Sequence, residues 1–145
     1  MKKVKRAQML LIKVLCCIAI LCVSFVPFFN DTVDAKAINN HTYNDYFKKV
    51  TWIKRSGVWS LSVEPKSTLT KNYGNANVQG AHASHSYKLL ESKHKKDKYW
   101  KNSGSMANQY LCHVQYAGSI KSPWNLEPSR KEYSYSHTVK KKCNP

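Results

Sequence analysis

The chain is 145 residues long and carries a formal charge of +16, from 24 Lys and Arg against eight Asp and Glu. That length excludes a multidomain assembly and leaves room for one modest core. The charge points to polyanions as partners, while the absence of an RNA-binding signature or zinc-finger spacing leaves nucleic acid only a generic ligand.

Residues 1–37 read as a secretory signal. Lys2, Lys3, Lys5 and Arg6 form a basic start, and an apolar run from Met9 to Phe29 follows, interrupted by Lys13 and Ser24. Ala35-Lys36-Ala37 offers small residues for cleavage after Ala35 or Ala37. The rival reading is an uncleaved anchor. The stretch from Val14 to Phe29 falls short of the ~20 residues a span needs, and Pro27 favours removal. Cys16, Cys17 and Cys22 lack the small preceding residue that acylation requires and read as apolar filler. The long Lys-rich leader has a Gram-positive look. The expected product is a single secreted domain, residues 38–145, extracellular or wall-associated.

Removing residues 1–37 leaves 108 of the 145 and lowers the charge to about +12, because six cations and Asp31 and Asp34 precede Ile38. Two cysteines remain, Cys112 and Cys143, and an even count in an exported chain predicts a disulfide rather than a catalytic thiol. Closing a loop of about 30 residues is worth on the order of 3–4 kcal/mol in the chain-entropy model.

In chain order, 38–48 is polar and aromatic, a lead-in strand or ordered arm. In "VTWIKRSGVWSLSVEP" two alternating runs flank Ser56-Gly57, which predicts a hairpin ended by Pro65. Residues 68–80 read as an Asn/Gly-rich loop, and 81–96 as a helix carrying Ala83, Tyr87, Leu90 and His94. "NSGS", 102–105, holds a candidate N-cap for a second helix. There Met106, Tyr110, His113 and Ala117 recur at i, i+4, i+7 and i+11, and Gly118 is the stop. Pro123 and Pro128 forbid regular structure between them. "YSYSHTV" alternates and predicts a final strand, with His137 packed on its aromatic face. The expected fold is α+β: a small antiparallel sheet, made of the hairpin and a C-terminal strand, with one or two packed helices and one disulfide.

"WIKRSGVWSLSVEP", "MANQYLCH", "WNLEPSR" and the closing "CNP", in this order, resemble a bacterial family of exported proteins catalogued as domain of unknown function 2599. The resemblance runs from about Tyr43 to Pro145, with Ser129 and Lys131 where an aromatic residue and a proline are expected. It implies export and continuity of fold. The family has no established activity, so it implies no mechanism.

"WNLEPSR", residues 124–130, reads two ways. As a site, Glu127 is a general acid or base, Arg130 holds a phosphate or sulfate, and His113 relays a proton from its place beside Cys112. As a corner, Trp124 fills the core, Asn125 caps a turn and Glu127 pairs with Arg130 or a nearby Lys across a Pro-fixed bend. His82 and His85, with His94 and Asp97 nearby, offer metal-like spacing without a third motivated ligand, so no metal or cofactor is expected.

"KHKKDK", "KYWK" and "KKK" concentrate cations around aromatics. They are either a solubilising face or an anion-binding one made of Lys95, Lys96, Lys98, Trp100, Lys101, Lys140, Lys141 and Lys142. The leading functional expectation is binding of anionic partners (teichoic acid, anionic lipid or extracellular DNA), directed at competing bacteria or a host surface. The alternatives are an exported hydrolase or nuclease toxin built on His113, Glu127 and Arg130, and a purely structural wall protein.

Overall fold

The computed structural model describes residues 37–144, and the expected leader lies outside the described residues. A short helix α1 (Tyr43–Tyr46) leads into strand β1 (Phe47–Arg55), which turns into β2 (Val58–Pro65). At the turn Ser56 and Gly57 both have positive φ, 45° and 82°, the twist-matched geometry of a two-residue hairpin. Arg55 faces Val58, and the register runs back so that Trp52 faces Leu61 and Val50 faces Val63.

A one-turn helix α2 (Ser67–Thr70) and the long helix α3 (Ala76–His94) follow. The structure starts α3 earlier than the apolar spacing suggests, because the Asn75 side chain accepts from the backbone N–H of Asn77 and Val78. Helix α4 (Ser103–Cys112) then passes into a π-helical turn (His113–Ala117). Gly118 ends it at φ 47°, its N–H donating to the His113 carbonyl at 3.0 Å. Three faces close the core. Tyr110, Met106 and Leu90 from the helices meet Leu61 and Val63 from β2, with Tyr46 and Phe47 sealing the N-terminal end. The Tyr110 hydroxyl lies 2.7 Å from Ser86 Oγ, so the burial of that ring leaves no orphaned polar group.

Two expectations are corrected. Between the prolines lies a strand, β3 (Trp124–Leu126), paired antiparallel with β2 through Leu61–Leu126, Ser62–Asn125 and Val63–Trp124. Pro123 and Pro128 flank those residues and remove no N–H from them, and an end strand tolerates such neighbours. "YSYSHTV" is not the third strand but helix α5 (Tyr135–Lys140). Ser134 caps it, accepting from His137 N, and Thr138 Oγ1 donates back to the Ser134 carbonyl. Local capping thus outcompetes the period-two pattern. His137 is exposed there, 3.4 Å from Glu132, instead of packed on an aromatic face.

The sheet order is β1-β2-β3, so the α+β class holds with β3 in the place expected for the last segment. The predicted Cys112–Cys143 disulfide is present and spans 31 residues, tying the end of α4 to the residues after α5. Replacing both cysteines by alanine is expected to lower unfolding stability by on the order of 3–4 kcal/mol in urea titrations. An unchanged midpoint would show that α5 docks without the bridge.

Candidate functional site

The alternation of a strand divides "WNL" between two faces. Trp124 and Leu126 point into the core and are fully buried, which leaves Asn125 on the opposite side. The chain then turns at Glu127, whose backbone is gripped by one buried side chain. Gln109 Oε1 accepts from Glu127 N at 2.8 Å, and Gln109 Nε2 donates to the Glu127 carbonyl at 3.1 Å. Arg130 Nε donates to Glu127 Oε2 at 2.6 Å across that turn. The corner reading of this segment is correct in its ion pair and its buried indole, and incorrect in giving Asn125 a turn-capping role.

The same segment also lines a cavity of about 380 Å³. Glu127 and Arg130 share it with His113, Asn125 and Asn144, and Arg55 and Lys121 add two more cations to its wall. The three residues proposed from sequence as catalytic therefore converge on one space. His113 arrives there as the first residue of the π-helical turn, a helix irregularity that recurs at functional sites. Its ring lies parallel to the Trp124 indole, 5° between planes with centroids 6.0 Å apart. The disulfide places Asn144, the residue after Cys143, near His113, the residue after Cys112, since the two cysteine Cα atoms are 5.3 Å apart.

Hydrogen-bond accounting sets this cavity apart. His113 is 1% exposed, yet neither ring nitrogen has a partner. Asn125 Oδ1 and Asn144 Oδ1 are also buried and unpaired, and these four atoms are the buried side-chain polar atoms without a partner among the described residues. A buried unpaired polar group costs about 1–3 kcal/mol, and all four belong to residues that line this one cavity, although the atoms themselves are closed to solvent. Burial, followed by the charge of Lys121, lowers the His113 pKa to about 4. The imidazole is therefore neutral at physiological pH, with one nitrogen free to accept and the other to donate.

The other predicted residues lie elsewhere on the surface. Lys95, Lys96, Lys98 and Lys101 are exposed beyond the end of α3, and Lys140, Lys141 and Lys142 at the end of α5. Trp100 does not join the open face: it is half-buried against the core and its indole N–H donates to Ser103 Oγ at 2.8 Å. The ring that lines a depression with Lys98 and Lys101 is Tyr99, itself half-buried and stacked on Trp59 with centroids 3.8 Å apart. His82 and His85 have separate partners, Tyr46 Oη at 2.9 Å and the His41 carbonyl at 2.9 Å. His94 and Asp97 are joined at 2.8 Å, in a chain that reaches Tyr43 on one side and Trp52 on the other.

Arg55, Lys121 and Asn144 were not singled out by sequence, and Asn125 was read only as a turn cap. For Asn125 the signal is its position between two apolar residues, and for Asn144 its place directly after a bridged cysteine. No helix among the described residues is long and apolar enough to cross a membrane.

The profile of a family described as protein of unknown function (DUF2599) matches residues 47–145. No curated protein and no solved structure matches the chain. Each of the four blocks that carry the resemblance places a residue on the cavity: Arg55, His113, Glu127 and Asn144.

Acid should expose the state of His113. An unfolded histidine titrates near 6.5 and the folded one near 4, so on acidification the unfolded chain takes up the proton first. Stability from this group is complete above about pH 6.5 and is lost as the pH falls towards 4. His113→Phe is expected to reduce the stability lost between pH 7 and pH 4.5 by on the order of 2–3 kcal/mol, read from urea titrations at both values. An identical loss in both proteins would mean that the imidazole is solvated in the fold.

Proposed function

The chain belongs to the DUF2599 family, described only as protein of unknown function, and from its charge and geometry we propose that it acts outside the cell by binding anionic envelope polymers. The observation that carries this reading is how the few acids are used. Five of the six acids among the described residues are engaged: Asp45 caps α1, Glu64 pairs with Lys48, Asp97 with His94, Glu127 with Arg130 and Glu132 with His137, while Glu91 makes no ion pair. The cations at 95, 96, 98, 101 and 140–142 are exposed and make no ion pair among the described residues.

Three depressions link the Lys clusters through shared walls. Lys98 and Lys101 line one depression with the Trp59–Tyr99 stack, and Lys141 lines another with Glu127 and Arg130. Val58 belongs to both depressions and to the His113 cavity. A flexible polymer laid along this path would meet cations throughout and an aromatic surface at one end. Attraction of this kind works through counterion release and weakens as salt rises.

Sedimentation with isolated Gram-positive walls tests the reading. The pelleted fraction is expected to fall steeply as salt increases from about 0.05 to about 0.5 M. Changing Lys95, Lys96, Lys98, Lys101, Lys140, Lys141 and Lys142 to Gln should remove most of the pelleting near physiological salt. Full retention of that variant in high salt would contradict the proposal.

A second reading, an exported hydrolase, is favoured by one observation: His113, Glu127 and Arg130 border a single cavity. A neutral imidazole is a competent general base, and an arginine suits a phosphoryl oxygen. On this reading walls would clear in suspension, and Glu127→Gln would abolish clearing. The thermal midpoint should hardly move, since a partly exposed ion pair is worth about 0–1 kcal/mol. Walls that pellet with the protein at undiminished turbidity would leave binding as the function.

A further inference from the structure

The His113 cavity has a definite donor and acceptor balance, and that balance constrains its ligand. Asn125 Oδ1 and Asn144 Oδ1 are acceptors without a donor, each closed to solvent until its side chain turns towards the cavity, and His113 presents one nitrogen of each kind. Arg55, Lys121 and Arg130 are donors only, all positively charged. The Glu127 carboxylate is already committed to Arg130 Nε, which leaves the terminal guanidinium nitrogens of Arg130 without an assigned acceptor.

Inorganic phosphate would satisfy the cations and leave the asparagine oxygens unmatched, because a dianion has almost no hydrogen to donate. A neutral sugar would satisfy the asparagines and leave the cations unmatched. A unit that carries hydroxyl groups next to a phosphate answers both sets. At about 380 Å³ the cavity is large enough for one small phosphorylated polyol and too small for an extended chain.

We propose that this cavity is a binding site for a single polyol-phosphate unit, its hydroxyls received by Asn125 and Asn144 beside His113 and its phosphate by Arg55, Lys121 and Arg130. The site deepens the envelope-polymer reading and rests on it for the source of the unit: a repeat of a polyol-phosphate polymer, entered from the groove at Val58 and Glu127. The Lys clusters then supply non-specific attraction, and the cavity supplies choice. The buried asparagine and histidine contacts are uncharged, so this part of the binding persists where salt has weakened the rest.

The test is a titration of the purified protein with glycerol 3-phosphate at about 0.15 M salt, a concentration that screens exposed charges beyond ~8 Å. The readout is the His113 ring signal in a carbon–proton NMR spectrum. A saturable shift is expected, with inorganic phosphate and free glycerol each at least tenfold weaker. Asn144→Ala should weaken glycerol phosphate at least tenfold. Arg55→Gln, on the exposed end of the hairpin, serves the same purpose if Asn144→Ala disturbs the neighbouring disulfide.

An unmoved His113 signal overturns the proposal. Inorganic phosphate binding as tightly as glycerol phosphate reduces the cavity to a plain anion site and also overturns it. Adenosine monophosphate binding more tightly than glycerol phosphate assigns the site to nucleic acid instead. Failure of the two readings is distinguishable. Glycerol phosphate that binds while walls do not pellet removes the polymer reading and keeps the cavity. Pelleting that is unaffected by Asn144→Ala, with no glycerol phosphate bound, removes the cavity and keeps the polymer.

Discussion

One buried amide holds the working half of this molecule in register. Gln109 is fully buried on α4 and exchanges two hydrogen bonds with the backbone of Glu127, as a neighbouring strand would. It thereby extends the sheet beyond Leu126, where β2 no longer pairs with the chain. Each such bond contributes about 1 kcal/mol net, but a buried amide left without partners costs more, so the geometry is strongly preferred. Everything that β3 and its turn present to the cavity depends on this grip: Asn125 just before it, Glu127 at it, and Arg130 after it.

The opposite wall is set by a different device. A disulfide joins Cys112 and Cys143, and the residue following each one, His113 and Asn144, lines the cavity with an unpartnered polar atom. The shift from α4 to a π-helical turn at that point carries His113 against the Trp124 indole rather than into solvent. The fold therefore stores unsatisfied polarity in one place while satisfying it elsewhere, including Ser86 with Tyr110 in the core. That contrast, more than net charge, distinguishes this cavity from the other depressions in the surface.

Much of the fold was legible in the sequence where local chemistry and tertiary packing agree. The hairpin announced itself through alternation around Ser56-Gly57, α4 through the recurrence of Met106 and Tyr110, and the disulfide through the count of cysteines outside the expected leader. The misreadings came where they compete. Three residues between prolines are too few for a periodic signal, and only the open edge of β2 makes them a strand. The seven alternating residues of "YSYSHTV" looked extended until the Ser134 cap was counted. For the site, the Glu127–Arg130 pair was visible because it is three residues long. Asn144 and Arg55 were not, since their meeting with His113 depends on contacts remote in sequence. Likewise "KYWK" gave no way to tell which ring packs where: both are half-buried, Trp100 against the core and Tyr99 against Trp59 beside the lysines.

Long-range attraction by exposed lysines and short-range selection by a half-neutral cavity make different demands on salt. The most direct test of the account is the affinity for a defined glycerol-phosphate oligomer, measured by calorimetry over a range of salt concentrations. The account predicts a steep fall of log affinity with log salt that flattens into a residual, salt-resistant affinity. A line that falls without limit would mean that the lysines do all the binding, and a flat line would mean that charge plays no part. Either result would contradict a site in which the cationic face gathers the polymer and the His113 cavity selects its repeating unit.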